Sequence, residues 1–119
     1  MMKTHKDLDV WKKAIDMVTT IYKLTRNFPK EELYGLTNQM RRAAVAVPSN
    51  IAEGAVRDSS KELLLFLSYA KGSLSELETQ SIIAYNLEYL NNEQKQDIDE
   101  ILSDLFKMLS KFIQTIHDK

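Results

Sequence analysis

A chain of 119 residues with 44% hydrophobic and 28% charged side chains, three glycines and two prolines suits a single domain over residues 1–119, with its own core and little material for linkers. The absence of cysteine excludes a disulfide frame, a thiolate nucleophile and a cysteine-ligated zinc. A net charge of −1 argues against a dedicated polyanion binder, yet the halves differ in sign: residues 1–61 carry eleven Lys/Arg against seven Asp/Glu, and residues 62–119 carry five against ten.

The opening residues Met1-Met2-Lys3-Thr4-His5-Lys6-Asp7 lack the apolar stretch of a signal peptide, and no apolar run approaches the ~20 residues that span a bilayer. The expectation is a cytoplasmic protein with no membrane partner. Trp11, Ile15, Val18, Tyr22 and Thr25 then step by four and three, which predicts a first helix from about Leu8 to Asn27 with that row buried; Phe28-Pro29 breaks it. After a short connection containing Gly35, the row Leu36, Met40, Ala43, Val47, Ile51 and Gly54 predicts a second helix ending near Arg57. Ser59 three residues before Glu62 reads as a capping box opening a third helix, whose stripe is Leu63, Leu67, Ala70, Leu74, Leu77, Ser81 and Ala84 and which continues to about Leu90. Asn91 with Gln94 makes a weaker cap before a fourth helix striped by Ile98, Leu102, Leu105, Leu109, Phe112 and Ile116. With no sustained period of two, no repeat and short connections, the pattern predicts an all-α, antiparallel, up-and-down four-helix bundle.

The segment Arg41-Arg42-Ala43-Ala44-Val45-Ala46-Val47-Pro48-Ser49-Asn50-Ile51-Ala52-Glu53-Gly54 stands out from this pattern. Its five consecutive apolar residues turn through about 500° of helix at roughly 100° per residue, so apolar atoms point all round, and a helix apolar all round must be covered all round. Leu63-Leu64-Leu65-Phe66-Leu67 repeats the theme, and both runs point to oligomerisation. Pro48 allows two outcomes: a continuous helix kinked there, or a break at Val47 with Pro48 opening a new helix. Gly72, inside the third helix, is expected to permit a close helix contact.

Three stretches carry a resemblance: Gly35-Leu36-Thr37-Asn38-Gln39-Met40-Arg41-Arg42-Ala43-Ala44, then Val47-Pro48-Ser49-Asn50-Ile51-Ala52-Glu53-Gly54 with Arg57, then Ala70-Lys71-Gly72-Ser73-Leu74-Ser75-Glu76-Leu77-Glu78-Thr79. Together with Trp11-Lys12-Lys13-Ala14 and Ile21-Tyr22-Lys23-Leu24-Thr25, they make the chain, from about Leu8 to Leu90, similar to the bacterial four-helix-bundle family encoded by intervening sequences in 23S ribosomal RNA genes. Ala46 departs from the serine expected in many relatives. The resemblance implies a helix two kinked near Pro48 and a ring-shaped homopentamer. It also implies kinship with the accessory proteins of diversity-generating retroelements, which bind nucleic acid beside a reverse transcriptase. A shared fold does not fix function.

Helix one carries Lys12, Asp16, Thr19, Lys23 and Arg26 at four-three spacing, with Lys13 beside them and Lys30 just beyond. Lys12, Lys13, Lys23, Arg26 and Lys30 form a candidate phosphate-contacting set, since cations that neutralise phosphates release condensed counterions; the alternative is an ordinary solvated face. That face lacks aromatics for stacking on single strands, so sequence-specific reading is not expected. Arg41, Arg42, Ala44, Val45, Pro48, Asn50, Glu53 and Arg57 form the candidate oligomer interface. Within it Glu53 either pairs with Arg57 at i,i+4 or reaches a neighbouring subunit.

For catalysis the inventory is poor. His5 and His117 lie near opposite ends, no glutamate precedes a histidine at the spacing of di-iron bundles, and Glu76 and Glu78 point to different sides of their helix. The Lys71-Gly72-Ser73 order lacks the glycine-rich turn of a phosphate loop. The sequence therefore predicts no enzyme, no cofactor and no metal. It predicts a homo-oligomeric scaffold that binds a protein partner, for which the resemblance implies a reverse transcriptase, or alternatively a sequence-nonspecific RNA/DNA-binding accessory protein.

Overall fold

The structure, a computed structural model, describes His5 and residues 8–118. The leader reading of Met1–Asp7 therefore lies outside the described residues, His5 apart. Four helices, α1 (Asp9–Thr25), α2 (Leu36–Ala55), α3 (Ser60–Asn86) and α4 (Asn92–His117), make an all-α four-helix bundle. Around it α2 packs on α1 and α3, and α4 on α3 and α1.

The core rows of α2, α3 and α4 fall where their apolar spacing places them. Met40, Val47 and Ile51 from α2, Leu67, Leu74 and Leu77 from α3, and Ile98, Leu102, Leu105 and Leu109 from α4 are all fully buried. At about 1.5–3 kcal/mol for each large apolar side chain removed from water, this row set is the main source of cohesion. Leu63 and Phe112, at the edges of their stripes, are only half-buried.

α1 differs from its predicted register. Its buried row is Val10, Ala14, Met17, Ile21 and Thr25. The expected row lies one residue on, about 100° round the helix, leaving Ile15 and Tyr22 each 39% exposed and Trp11 and Val18 half-buried. Both rows are apolar at helical spacing. Spacing alone cannot choose between them, and the row with the bulkier residues stands at the rim.

Local signals account for the boundaries. α1 stops before Pro29, with the Arg26 amide still donating to the Tyr22 carbonyl at 3.2 Å. α2 has no side-chain cap of its own at Gly35; the Leu36 amide donates to Glu32 Oε1 at 3.1 Å, from the short 3-10 turn Lys30–Glu32. A Cβ at Gly35 would sit 2.8 Å from that same oxygen, which fits glycine to the position. Glu32 Oε2 accepts from the Tyr89 hydroxyl at 3.0 Å, and the Tyr89 ring packs on Phe28, so one carboxylate ties the α1–α2 connection to the α3–α4 corner. That hydrogen bond, with desolvation and the nearby charges of Glu32 and Glu31, holds the Tyr89 hydroxyl above the usual tyrosine range.

The two caps exchange rank. Ser59 accepts from the Glu62 amide at 3.1 Å, whereas Asn91 and Gln94 complete the reciprocal capping box, each side chain bonding the other's backbone amide. α3 ends at Asn86, four residues short of the expected Leu90. The Glu88 and Tyr89 amides turn back to the Tyr85 and Ala84 carbonyls with Glu88 at φ 66°, the Schellman arrangement with glutamate where glycine is usual. A stop signal written in glutamate is invisible to composition.

α2 runs through Pro48 without interruption, so the proline opens no new helix, although it can donate nothing to the Ala44 carbonyl. Close helix contact falls at Gly54, where an added Cβ would lie 3.0 Å from Phe66 Cβ and 3.1 Å from Leu63 Cδ1 of α3. Gly72 does not have the expected packing role within the protomer: it is exposed, and its added Cβ would meet nothing within 4 Å. Gly54→Ala should therefore lower stability by about 1–3 kcal/mol through overpacking. Gly72→Ala should raise it by about 0.5–1 kcal/mol through helix propensity. Urea denaturation of both variants checks the pair; shifts of the same sign would contradict the packing described.

Candidate interaction surface

The outer face of α1 carries Lys12, Asp16, Thr19, Lys23 and Arg26, all exposed, and Lys30, beyond the helix end, is exposed as well. Among the described residues no ion pair engages Lys12, Lys23, Arg26 or Lys30. Lys13, about 100° away from Lys12, turns toward α4, where its Nζ lies 3.6 Å from Asp104 Oδ2. The structure thus leaves Lys12, Lys23 and Arg26 exposed on one face of α1 without an ion pair among the described residues, leaves Lys30 likewise unpaired beyond it, and separates Lys13.

Between α1 and α2 runs a groove. At one end its walls are apolar: Trp11, Ile15 and Val18 face Val45, Pro48 and Ala52, with the His5 ring edge-on to Trp11 at 5.0 Å. At the other end the lining is Tyr22, Asn38, Arg41, Arg42, Val45 and Ala46, with two arginines and no carboxylate. Val45 belongs to both ends and is 40% exposed.

Arg41 and Arg42 are neighbours in sequence with different tasks, as their 100° separation requires. Arg41 Nε donates to Thr25 Oγ1 at 2.9 Å, and its guanidinium lies over the Tyr22 ring, 4.6 Å from the centroid. Its Nη2 reaches the Tyr22 carbonyl at 3.5 Å, so the cation sits at the negative end of the α1 dipole. Thr25 can accept because its own hydroxyl donates to the Ile21 carbonyl at 2.8 Å. Arg42 is exposed and makes no such bond; it stands on the outer ridge of α2, lining both the α1–α2 groove and a second groove between α2 and α3.

The remaining interface candidates are placed as follows. Ala44 is fully buried in the protomer's own core, and Pro48 is buried against the α1 rim. Of the Ala43 to Val47 run, expected to need cover all round, the protomer's own bundle covers Ala43, Ala44 and Val47, leaving Val45 out and Ala46 half out. Asn50 folds back on its helix, Nδ2 donating to the Ala46 carbonyl at 2.8 Å. Glu53 pairs with Arg57 at 3.3 Å, and the Arg57 guanidinium covers the Phe66 ring of α3 at 4.9 Å. In α3, Leu65 and Tyr69 stay about half exposed.

Sequence reasoning missed Tyr34. It lies in the turn before α2, is 91% exposed, and lines the α2–α3 groove beside Asn38 and Arg42. Tyr34, Asn38 and Arg42 are spaced by four, on the side of α2 away from Leu36, Met40 and Ala43, and that spacing was the available signal. The opposite wall holds Ser73, Glu76 and Gln80 of α3, and the buried Oε1 of Gln80 has no hydrogen-bond partner.

Among the described residues no helix is long and apolar enough to cross a membrane, and no three His, Asp or Glu side chains gather as a metal site would need. No curated protein matches the chain. A crystal structure from Bacteroides thetaiotaomicron, of a protein with unknown function from the S23 ribosomal protein family, is similar in fold, with a TM-score of 0.79 at 22% identity over 87% of this chain and 97% of that one. The sequence model of the 23S rRNA-intervening sequence proteins matches residues 6–111. The chain therefore belongs to the 23S rRNA-intervening sequence protein family.

Proposed function

We propose that this chain is a non-enzymatic interaction protein that assembles with copies of itself, as a ring, through the α1–α2 face. The observation that carries this reading is the apolar rim of α1 beside Val45: Ile15 and Tyr22 stay 39% exposed and Val45 40%, while Trp11 and Val18 pack only partly on the protomer's own core. Large side chains half in water gain from a partner surface. The exposed Leu65 and Tyr69 of α3 provide a different apolar patch on the same protomer. Two unlike patches that meet make a head-to-tail contact, which closes into a ring when the rotation permits. A homopentamer is the ring that the family resemblance suggests.

A second reading has its own observation: the exposed Lys12, Lys23, Arg26 and Lys30 are committed to no internal ion pair. Cations held free along one helix face suit the phosphate backbone of RNA or DNA, read without regard to sequence. Copies of this face around an assembly add weak contacts through avidity.

Light scattering on a size-exclusion column is expected to give an oligomeric mass, most simply five chains, and Val45→Glu should reduce it while leaving the helical signal intact. Val45 is the informative position because Ala44→Glu would bury a charge in the protomer core and unfold it. A monomer at micromolar concentration removes the assembly reading. For the second reading, replacing Lys12, Lys23 and Arg26 together by glutamine should hold stability and flatten the slope of log affinity against log salt by about two to three units. Wild-type protein that binds neither RNA nor DNA at about 50 mM salt, where phosphate contacts are strong, removes it.

A further inference from the structure

We infer that the ridge of α2 is a site for single-stranded nucleic acid, with a base stacked on Tyr34 and the adjoining phosphates held by Arg42 and the arginine end of the α1–α2 groove. This rests on the phosphate-binding reading of the α1 face and adds to it the form of the ligand.

Tyr34 is the most exposed large hydrophobic side chain described, and its 91% exposure is far above that of any rim residue. An aromatic ring left in water with a cation, Arg42, lining the same groove is what single strands use: every base has a π-face, and stacking on an aromatic side chain is indifferent to sequence. A duplex keeps its bases stacked on one another and cannot offer one.

The two grooves flanking α2 differ in chemistry. The α1–α2 side, lined by Arg41 and Arg42 with no carboxylate, suits phosphate. The α2–α3 side has Tyr34 and, across from it, the exposed carboxylate of Glu76. That carboxylate repels phosphate and welcomes N–H donors, which each of the four bases carries on its pairing edge. Asn38 and Arg42 line both grooves. A strand draped over the ridge thus places its backbone toward α1 and a base toward α3. The Arg41 bond to Thr25 sets α2 against the last turn of α1, on whose outer face Lys23 and Arg26 are exposed. Nothing in the arrangement selects for or against a 2′-hydroxyl, so RNA and DNA strands are equivalent.

The test uses the full chain and fluorescence anisotropy at about 50 mM salt, with labelled oligo-uridine, oligo-thymidine and a mixed-sequence DNA duplex as probes. Tyr34→Ala should weaken binding of both single strands by about 5- to 100-fold, the range for loss of one stacked base, with duplex binding and the thermal midpoint unchanged. Tyr34→Phe should restore single-strand binding to near wild type. If Tyr34→Ala binds single strands as wild type does while the Lys12, Lys23 and Arg26 triple variant has lost binding, the stacking site is overturned and the basic face stands. Equal loss on single strands and duplex overturns the stacking site as well. If the wild-type protein binds none of the probes, both readings fall and the ridge is left to a protein partner.

Discussion

The constraint on which the rest of this structure depends is that α2 must lie close to two helices at once. It packs on α1 and α3, and the residues it turns to them include Ala43, Ala44 and Gly54, small enough to let neighbouring backbones approach. Dense interiors tolerate little change in volume at such contacts, so the small residues are as much part of the core as Met40 or Ile51. A slender helix set deep between bulkier ones has a geometric consequence. The rims of the neighbours stand proud of it, and a groove runs along each side, with the polar ridge of α2 between them. The apolar rim of α1, the arginine end of the first groove and the exposed Tyr34 beside the second all follow from that placement.

The arginine pair shows how one turn angle divides structure from interaction. Arg41 is spent on the α1 terminus, where Thr25, the Tyr22 carbonyl and the Tyr22 ring together satisfy its guanidinium. A cation so engaged positions α2, while its charge still belongs to the arginine end of the groove. Arg42, one residue on, points across the ridge into solvent. Glu53 and Arg57 repeat the logic at the far end of the helix, where the ion pair and the Phe66 stack fasten the last turn of α2 and the residue beyond it onto α3. Both ends of α2 are therefore anchored by an arginine lying over an aromatic ring, with Gly54 giving the tightest approach near one of them.

Much of the fold was legible because the apolar rows of α2, α3 and α4 run the length of their helices, so spacing finds the buried face even past the all-round apolar runs Ala43–Val47 and Leu63–Leu67. α1 has two adjacent apolar rows, Val10-Ala14-Met17-Ile21 and Trp11-Ile15-Val18-Tyr22, and only tertiary packing chooses between them. The same ambiguity is what makes the rim informative, since a row that reads as core and is left half in water marks a face with more apolar surface than the protomer uses. The α3 stop was illegible because Glu88 adopts a conformation associated with glycine. Gly72 misled in the opposite direction: its missing side chain suggested a close contact that Gly54 makes instead. Of the candidate surface, the basic residues on α1 could be read from spacing, while the separation of Lys13 toward Asp104 and the exposure of Tyr34 depend on how helices face one another.

The two proposed uses of the α1–α2 groove are arranged end to end. Trp11, Ile15, Pro48 and Ala52 line the apolar end, Tyr22, Arg41 and Arg42 the polar end, and Val45 is shared. An assembly that covers the apolar end leaves the arginines and the Tyr34 ridge open, so self-association and strand binding do not compete for the same atoms except at Val45 and Tyr22. Assembly also answers the objection that a chain of net charge −1 is a poor ligand for a polyanion. The basic residues lie on α1 and early α2, and the acids dominate α3 and α4, so each protomer presents a cationic sector despite its balance. Repeating that sector around a closed assembly raises the effective concentration of the second contact once the first has formed. Under that arrangement net charge is a weak guide to affinity, and the spacing of the sectors around the assembly becomes the quantity that decides it.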